Sequence, residues 1–527
     1  MSSQDMSCPT STNFVLTNWA KIYHTNPELY FQPRNVDELR GIVRKANESG
    51  KTITVVGGAN SPNDICKTEE WLISLDKMKK VNNFEMSKDK TYADVTVEAG
   101  ITLEELNDYC FKKYDYVLQN LASIACQSVA GAISTGTHGS SPYHGLLSSQ
   151  IVNLTIVNGE GKVLFLDSKN NADVFRASLL SLGKIGIIYN ATVRVVPSFN
   201  IKSTKEIISF DYLIEKWDTL WTSAEFVRVW WYPYTRKCVL WRGTKTEEHI
   251  KERPKGFLGN KFGRLAYESL LWISCALYRP FTPILERFIF RILYGNVGGI
   301  GEGSVEVLPS FEGLTMDCLF AQYVDEWAAK LNDGPGLLRS LDNSISKAAK
   351  DREFYVHVPM EIRCSNTLLP KKQQNISGRS ATSPGPIYGN LISPYLDISF
   401  HETAYVPPSE VTNSQLNLFI NATIYRPFSY NTPIFNWFRS FENAMSHIGG
   451  RPHWAKNFLG PTNLAVQDAP NKEVANKYTR VSFMRGRFQD WYGKDLIQFD
   501  EIRRKQDPKN VLLRKNDWAV QNGILEG

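Results

Sequence analysis

The first clear pattern along the chain is a helix. Asn35 is placed as its N-cap, with Glu38 three residues on reaching back as a capping box. Leu39, Ile42, Val43 and Ala46 then recur at helical spacing, and Gly50 ends the run. Residues 52–56 form a short β-branched run that predicts a strand entering Gly57 and Gly58. Residues 91–98 alternate as a second strand. Thr102 and Glu105 predict another capping box, with Leu103, Leu106 and Cys110 as the buried stripe behind it. Apolar and polar positions alternate again through 152–196. From 201 to 440 strands mix with loops, and two stretches read as loops outright. These are 243–256, rich in charge, and 365–386, rich in Lys, Gln, Asn, Ser and Pro. The tail from Asn443 turns helical and basic. There is no internal repeat, and the order of elements predicts an α+β fold.

One segment departs from this picture. Residues 269–278 carry no charge, and after Arg279 and Pro280 a second apolar stretch follows. Ten residues are about half of the ~20 that a spanning helix needs. Two readings stand for 262–294: a buried helix pair, or a pair lying in a membrane interface. In the second, Trp272, Tyr278, Arg279 and Arg287 would sit at headgroup level.

At 527 residues the chain holds two to four domain-sized units, so a large core is within reach. The 42% hydrophobic and 22% charged fractions exclude a wholly disordered chain. Sixty Lys and Arg against 54 Asp and Glu leave only +6, which argues against a nucleic-acid partner. Eight cysteines are scattered, with no CxxC and no zinc-ligand spacing. They predict buried, reduced thiols in an intracellular protein and no metal site. The first residues lack a basic n-region and an apolar h-region, so no secretory signal is expected. They also lack arginine, which makes a poor mitochondrial presequence.

Two glycine-rich turns carry the candidate chemistry. The first is Val56-Gly57-Gly58-Ala59-Asn60-Ser61, at the end of a strand, where small residues let backbone N–H groups approach an anion. It is not GxGxxG, which disfavours a standard dinucleotide fold. The second runs through Gly131, Ser134, Thr135, Gly136, His138 and Gly139. Two such turns, roughly seventy residues apart, can clamp one extended cofactor from both sides. His138 is either a satisfied loop histidine or part of that clamp.

These motifs, with Asn120-Leu121-Ala122-Ser123, resemble the FAD-binding domain of the vanillyl-alcohol-oxidase family. Within it the chain looks like the aldonolactone oxidoreductases, of the fungal D-arabinono-1,4-lactone oxidase type. Three further stretches agree: 228–243, 357–366 and 453–460, with 502–513 matching the family's ending. The resemblance implies a two-part FAD-binding domain, formed by 14–200 and completed by 441–527, around an α+β cap domain at 201–440. It places the flavin diphosphate on 57–61 and 134–139, with Gly186 and Ile188 toward the adenine and Ala122 and Ser123 near the flavin ring. It further implies oxidation of a sugar lactone to an ascorbate-like product, D-erythroascorbate. Oxygen or another acceptor would take the electrons, and the enzyme would sit at a mitochondrial membrane.

Oxidising a ring alcohol removes a hydride from carbon and a proton from oxygen, so the site needs a fixed cation and a polar anchor. Glu361 and Arg363 stand at i, i+2, which on a strand puts both on one face. Spacing alone also fits a surface ion pair; the apolar flanks argue for burial. By resemblance Arg363 steadies the reduced flavin and Glu361 holds substrate hydroxyls. His453 and Lys456, at i, i+3, read as a loop histidine with a solvated lysine, or, by resemblance, as a lid over the flavin. The base is then His453, Lys456 or solvent. Trp230, Trp231, Tyr232 and Tyr234 are core or a wall of the sugar pocket.

Two positions depart from the fungal pattern. Asn60 stands where the family carries the histidine that bonds to the flavin, so dissociable FAD is expected. Ala122 replaces a glycine, as in the plant dehydrogenases, and its methyl would crowd the path of oxygen. Competing readings are a lactone dehydrogenase passing electrons to a cytochrome, and a flavin- or sugar-binding protein without turnover.

Overall fold

The helix announced by Asn35 spans Val36–Ser49 and covers a four-stranded sheet. A computed structural model of the protein describes residues 8–251, 256–316, 318–357, 359–400 and 403–527. Asn35 accepts the Glu38 N–H, and Gly50 closes the helix at φ 63°. The carboxylate of Glu38 turns one residue upstream, to the N–H of Arg34 at 2.8 Å, because the Arg34 guanidinium pulls it there. The capping box at Thr102 and Glu105 forms as expected, at 3.1 and 2.9 Å. Ile53–Val56 and Trp71–Ser74 pair in parallel in the first sheet. Leu39, Ile42 and Val43 pack there with Phe31, Ile53 and Trp71, and Val511 and Leu512 from the far end of the chain join them.

Beside it lies a six-stranded antiparallel sheet built on Ala93–Glu98, Ile151–Val157 and Ile187–Pro197. The small-residue stretch after Gln127 becomes a short helix, Val129–Ser134, capped by Ser128. The third sheet has eight strands among the described residues. Its middle runs Lys237–Thr246, Phe226–Tyr232, Met360–Ser365, Asn417–Tyr425 and Gln322–Lys330. The stretch expected as a loop at 243–256 is thus strand as far as Thr246, paired residue by residue with Asn200–Ser209. Residues 252–255 lie outside the described residues. The segment 366–386 is irregular, as expected.

Alternation gives this sheet two different faces. Val229, Ile362, Ile420 and Trp327 point into a core with Leu338, Leu341, Phe438 and Phe441 from the helices Gly334–Asp351 and Phe435–His447. Trp230, Glu361, Arg363, Asn421 and Glu326 face the other way, into a cavity. Trp230 pairs with Glu361, and Asn421 with Glu326.

The apolar segment forms a helical hairpin, Lys261–Trp272 and Thr282–Tyr294, joined by a π-turn. One side of it is buried and the other is exposed. Tyr267, Leu271, Leu285 and Ile289 pack on Phe320 and Tyr425. Phe262 (78% exposed), Leu277 (66%), Leu265, Tyr278, Ile284 and Phe288 face outward. No helix among the described residues is long and apolar enough to cross a membrane. None of the eight cysteines forms a disulfide; against expectation Cys126 is exposed, in the loop beside Asn60, and Cys66 and Cys318 are only half-buried.

Candidate active site

Two cavities share Asn60, Ser61 and Gln127 in their walls and so form one cleft. The inner one, about 870 Å³ with the open space at its mouth, is bounded by 54–61, by Gly131, Ser134 and Thr135, and by Gly186 and Ile188. Its glycines sit where the walls are tight. A Cβ on Gly57 would collide with Ser128 Oγ, and one on Gly186 would lie 2.8 Å from Ile156. Lys184 lines the same wall, its ammonium held by Asp517 at 2.7 Å and by the Leu512 carbonyl oxygen at 3.2 Å. Backbone amides at a glycine turn and flanking hydroxyls fit a diphosphate, while Lys184 ties this wall to the chain's far end.

The outer cavity, about 1070 Å³ with its mouth, collects the reactive side chains: Glu326, Glu361, Arg363, His138, His453 and Lys456. Arg363, with its side chain 6% exposed, donates to Glu326 Oε2 at 2.6 Å and lies 3.5 Å from Glu361 Oε2. Burial opposes its charge, but the two carboxylates raise its pKa. Burial also presses on Glu326, yet Arg363 and Lys456 hold it well below the usual carboxylate range. His138 Nε2 donates to Glu326 Oε1 at 3.2 Å, and burial and Arg363 lower its pKa. Asn421 donates to Glu361 Oε2 at 3.3 Å and accepts the Glu361 N–H at 3.2 Å. Three buried polar atoms on this wall have no hydrogen-bond partner: Glu361 Oε1, Gln127 Oε1 and Ser123 Oγ. Orphaned buried atoms that face a cavity are what a polar ligand satisfies.

His453 behaves differently from the proton acceptor considered above. Its Nε2–H donates to the Gly136 carbonyl at 3.2 Å, and Nδ1 accepts the Ala455 N–H at 3.1 Å. Burial pushes it down to about 3, so it is neutral with both nitrogens engaged. It pins its loop, as does Asn457, which accepts from Val324 N–H at 3.0 Å and donates to the Pro62 carbonyl. His138, Glu326 and His453 bring possible ligand atoms within 4.8 Å. Arg363 and the loop hydrogen bonds already use several of those atoms, so the group is wired as an ion-pair network.

All four residues expected to be catalytic line the outer cavity. Of the cofactor set, Val56, Gly57, Gly58, Ala59, Asn60, Ser61, Gly131, Ser134, Thr135, Gly186 and Ile188 line the inner cavity. Ala122, Ser123 and His138 line the outer one. Gly136 and Gly139 line neither. Gly136 turns the chain at φ 72° and its carbonyl serves His453, while Gly139 is pressed against Asn120. Of the four aromatics, Trp230 alone reaches the cavity. Trp231 is buried on Phe210, Tyr232 meets Tyr294, and Tyr234 accepts the Val356 N–H. Glu326, Gln127, Asn421 and Thr423 were missed; each sits in a strand or loop with no motif to mark it.

A family model for D-arabinono-1,4-lactone oxidase matches residues 191–522, and one for an FAD binding domain matches 27–167. The chain belongs to the D-arabinono-1,4-lactone oxidase family. A family member from Kluyveromyces lactis is 55% identical over 515 residues, with 98% of each chain covered. Another, from Saccharomyces cerevisiae, is 54% identical over 518 residues, again 98% of each. Among solved structures, cholesterol oxidase from Brevibacterium sterolicum superposes with a TM-score of 0.73 over 97% of both chains. At 16% identity that likeness concerns the fold alone.

Proposed function

We propose that this chain is an FAD-dependent oxidase of D-arabinono-1,4-lactone, yielding D-erythroascorbate and, with oxygen as acceptor, hydrogen peroxide. The observation that carries it is the partnerless Glu361 Oε1 beside Arg363, in a cavity continuous with the glycine-walled one. Bound flavin supplies the hydride acceptor. The protein's part is binding, orientation and charge. Glu361 Oε1 accepts the hydrogen bond of the lactone hydroxyl and then its proton. Arg363 and Lys456 present positive charge where negative charge develops. Trp230 and Asn421 hold the ring against the sheet. We divide the chain accordingly into an FAD part, 14–200 with 441–527, and a cap, 201–440.

Three finer points follow. The FAD is dissociable, because the Asn60 amide is not nucleophilic; it donates instead to the Cys126 carbonyl oxygen at 3.1 Å. The outward face of the hairpin rests on a membrane surface, of the mitochondrion by family likeness, with Lys261, Arg279, Arg287 and Arg291 at its rim. A second reading, a dehydrogenase that uses an acceptor such as a cytochrome, is favoured by Ala122, whose methyl stands in the outer cavity.

Anaerobic addition of the lactone to purified protein tests the main reading. The flavin's visible absorbance should bleach. A spectrum that stays oxidised would sink the assignment and leave a binding protein. Admitting air, then cytochrome, to the bleached sample separates oxidase from dehydrogenase by which one restores the colour.

A further inference from the structure

Glu326 lies at the centre of the site, and no motif marks it. Its strand sets it on the cavity face, paired with Asn421. Three distant parts of the chain meet on this residue. Arg363 donates to Oε2 at 2.6 Å, His138 donates to Oε1 at 3.2 Å, and the Glu326 carbonyl accepts the His453 N–H at 2.8 Å. Its side chain is 1% exposed, against 13% for Glu361. A fully buried carboxylate is costly to keep unless its charge has a partner, and that partner is Arg363. Arg363 is thus forked between two carboxylates, and Glu326 is the nearer by almost 1 Å. A guanidinium sits on a long, flexible stem. Whatever fixes its outer nitrogens fixes where its charge lies.

We propose that Glu326 is a positioning residue that acts through Arg363. Its carboxylate aims the guanidinium along the cavity face and offsets part of its charge, which sets how strongly the site favours negative charge on the bound flavin. The inference rests on the flavin and lactone reading above.

Two holoenzyme variants test it, with flavin content measured first. Glu326→Gln keeps an acceptor for His138 but removes the charge. Glu326→Asp keeps the charge but draws it back by one methylene. With less offset, Arg363 should let Glu326→Gln flavin bind sulfite at least ~3-fold more tightly, while Glu326→Asp stays near wild type. Mis-aimed, it should slow anaerobic flavin reduction by saturating lactone at least ~10-fold in both, with KM changed much less. In an Arg363→Ala background, Glu326→Gln should add little to either measurement.

Unchanged sulfite affinity and reduction rate in loaded Glu326→Gln would overturn the proposal. So would equal sulfite shifts in both variants, the mark of disturbed packing. If Glu326→Gln loses its flavin, Glu326→Asp carries the test: slow reduction at wild-type sulfite affinity supports the role, and normal reduction refutes it. Loss of flavin from both would make Glu326 a folding residue and end the proposal. If lactone reduces not even the wild type, the substrate reading fails, while the sulfite comparison still judges Glu326.

Discussion

Arg363→Ala removes the cation that two buried carboxylates share. At an effective dielectric of about 20, unit charges at these separations attract by roughly 6 kcal/mol for Glu326 and 5 kcal/mol for Glu361 before desolvation is counted. Breaking a buried pair from one side costs about 3–5 kcal/mol of stability. Here proton uptake by one carboxylate limits the loss. In the wild type Glu326 is held well below its ordinary value, so its stabilisation is present above that value and fades as pH falls through the lower one. In the variant only Lys456 and His138 still oppose burial, so its folded pKa rises from that low position. The variant should therefore gain stability relative to wild type as pH falls through its raised pKa. For catalysis, losing one preorganised charge is worth about 2.7–4 kcal/mol, so flavin reduction by lactone should slow by at least ~100-fold. Flavin content should hold, because Arg363 is absent from the inner cavity wall. Anaerobic stopped-flow reduction of the loaded variant is the assay. A rate near that of wild type would refute the charge-stabilising role.

Acid precipitation should release the yellow flavin to the supernatant; colour left on the pellet would expose a covalent attachment residue other than position 60. Ala122→Gly should speed reoxidation by air and leave reduction by lactone nearly unchanged, and equal oxygen rate constants would show that this methyl is no gate. Burial lifts Glu286 to about 7, and its Oε1 accepts from the Thr235 N–H and hydroxyl. Its folded pKa lies above the unfolded value, so the wild type loses up to roughly 3 kcal/mol as pH rises from about 4 to about 7. Glu286→Gln should therefore melt higher than wild type above about pH 7 and match it near about pH 4; parallel pH profiles would contradict this. Anionic vesicles should sediment the wild type and lose it when Phe262, Ile284 and Phe288 are changed to Ser, with lactone activity kept. Equal sedimentation would rule out the hairpin as the contact.

Much of the framework could be read because it is written locally. Thr102 and Glu105, Asn35 and Gly50, and the glycine turns each depend on neighbours within a few residues. Glu361 and Arg363 were legible because strand alternation puts i and i+2 together. Glu326 was not. It follows Asp325 in its strand, and sequence alone cannot say which of two adjacent acids faces the cavity. The fold sends Asp325 to Trp327 and Glu326 to Arg363. The role of His453 stayed open for the same kind of reason: both of its nitrogens are taken by loop backbone that only the tertiary structure brings near. Gly136 and Gly139 looked like cofactor contacts because a glycine serves a tight turn and a ligand approach equally well.

The last part of the chain completes structure begun by the first. Ile53 donates its N–H to the carbonyl of Val511, 458 residues later, at 2.7 Å, and Lys184 on the inner cavity wall is held by Leu512 and Asp517. At about 5–20 residues per second, a ribosome takes roughly 20–90 s to travel from the first of these positions to the last. Through that interval the Ile53 N–H waits without its acceptor, and Lys184, once made, waits without its counter-ion. The cofactor pocket is therefore finished only after residues 511–517 have been made, and flavin capture waits for them.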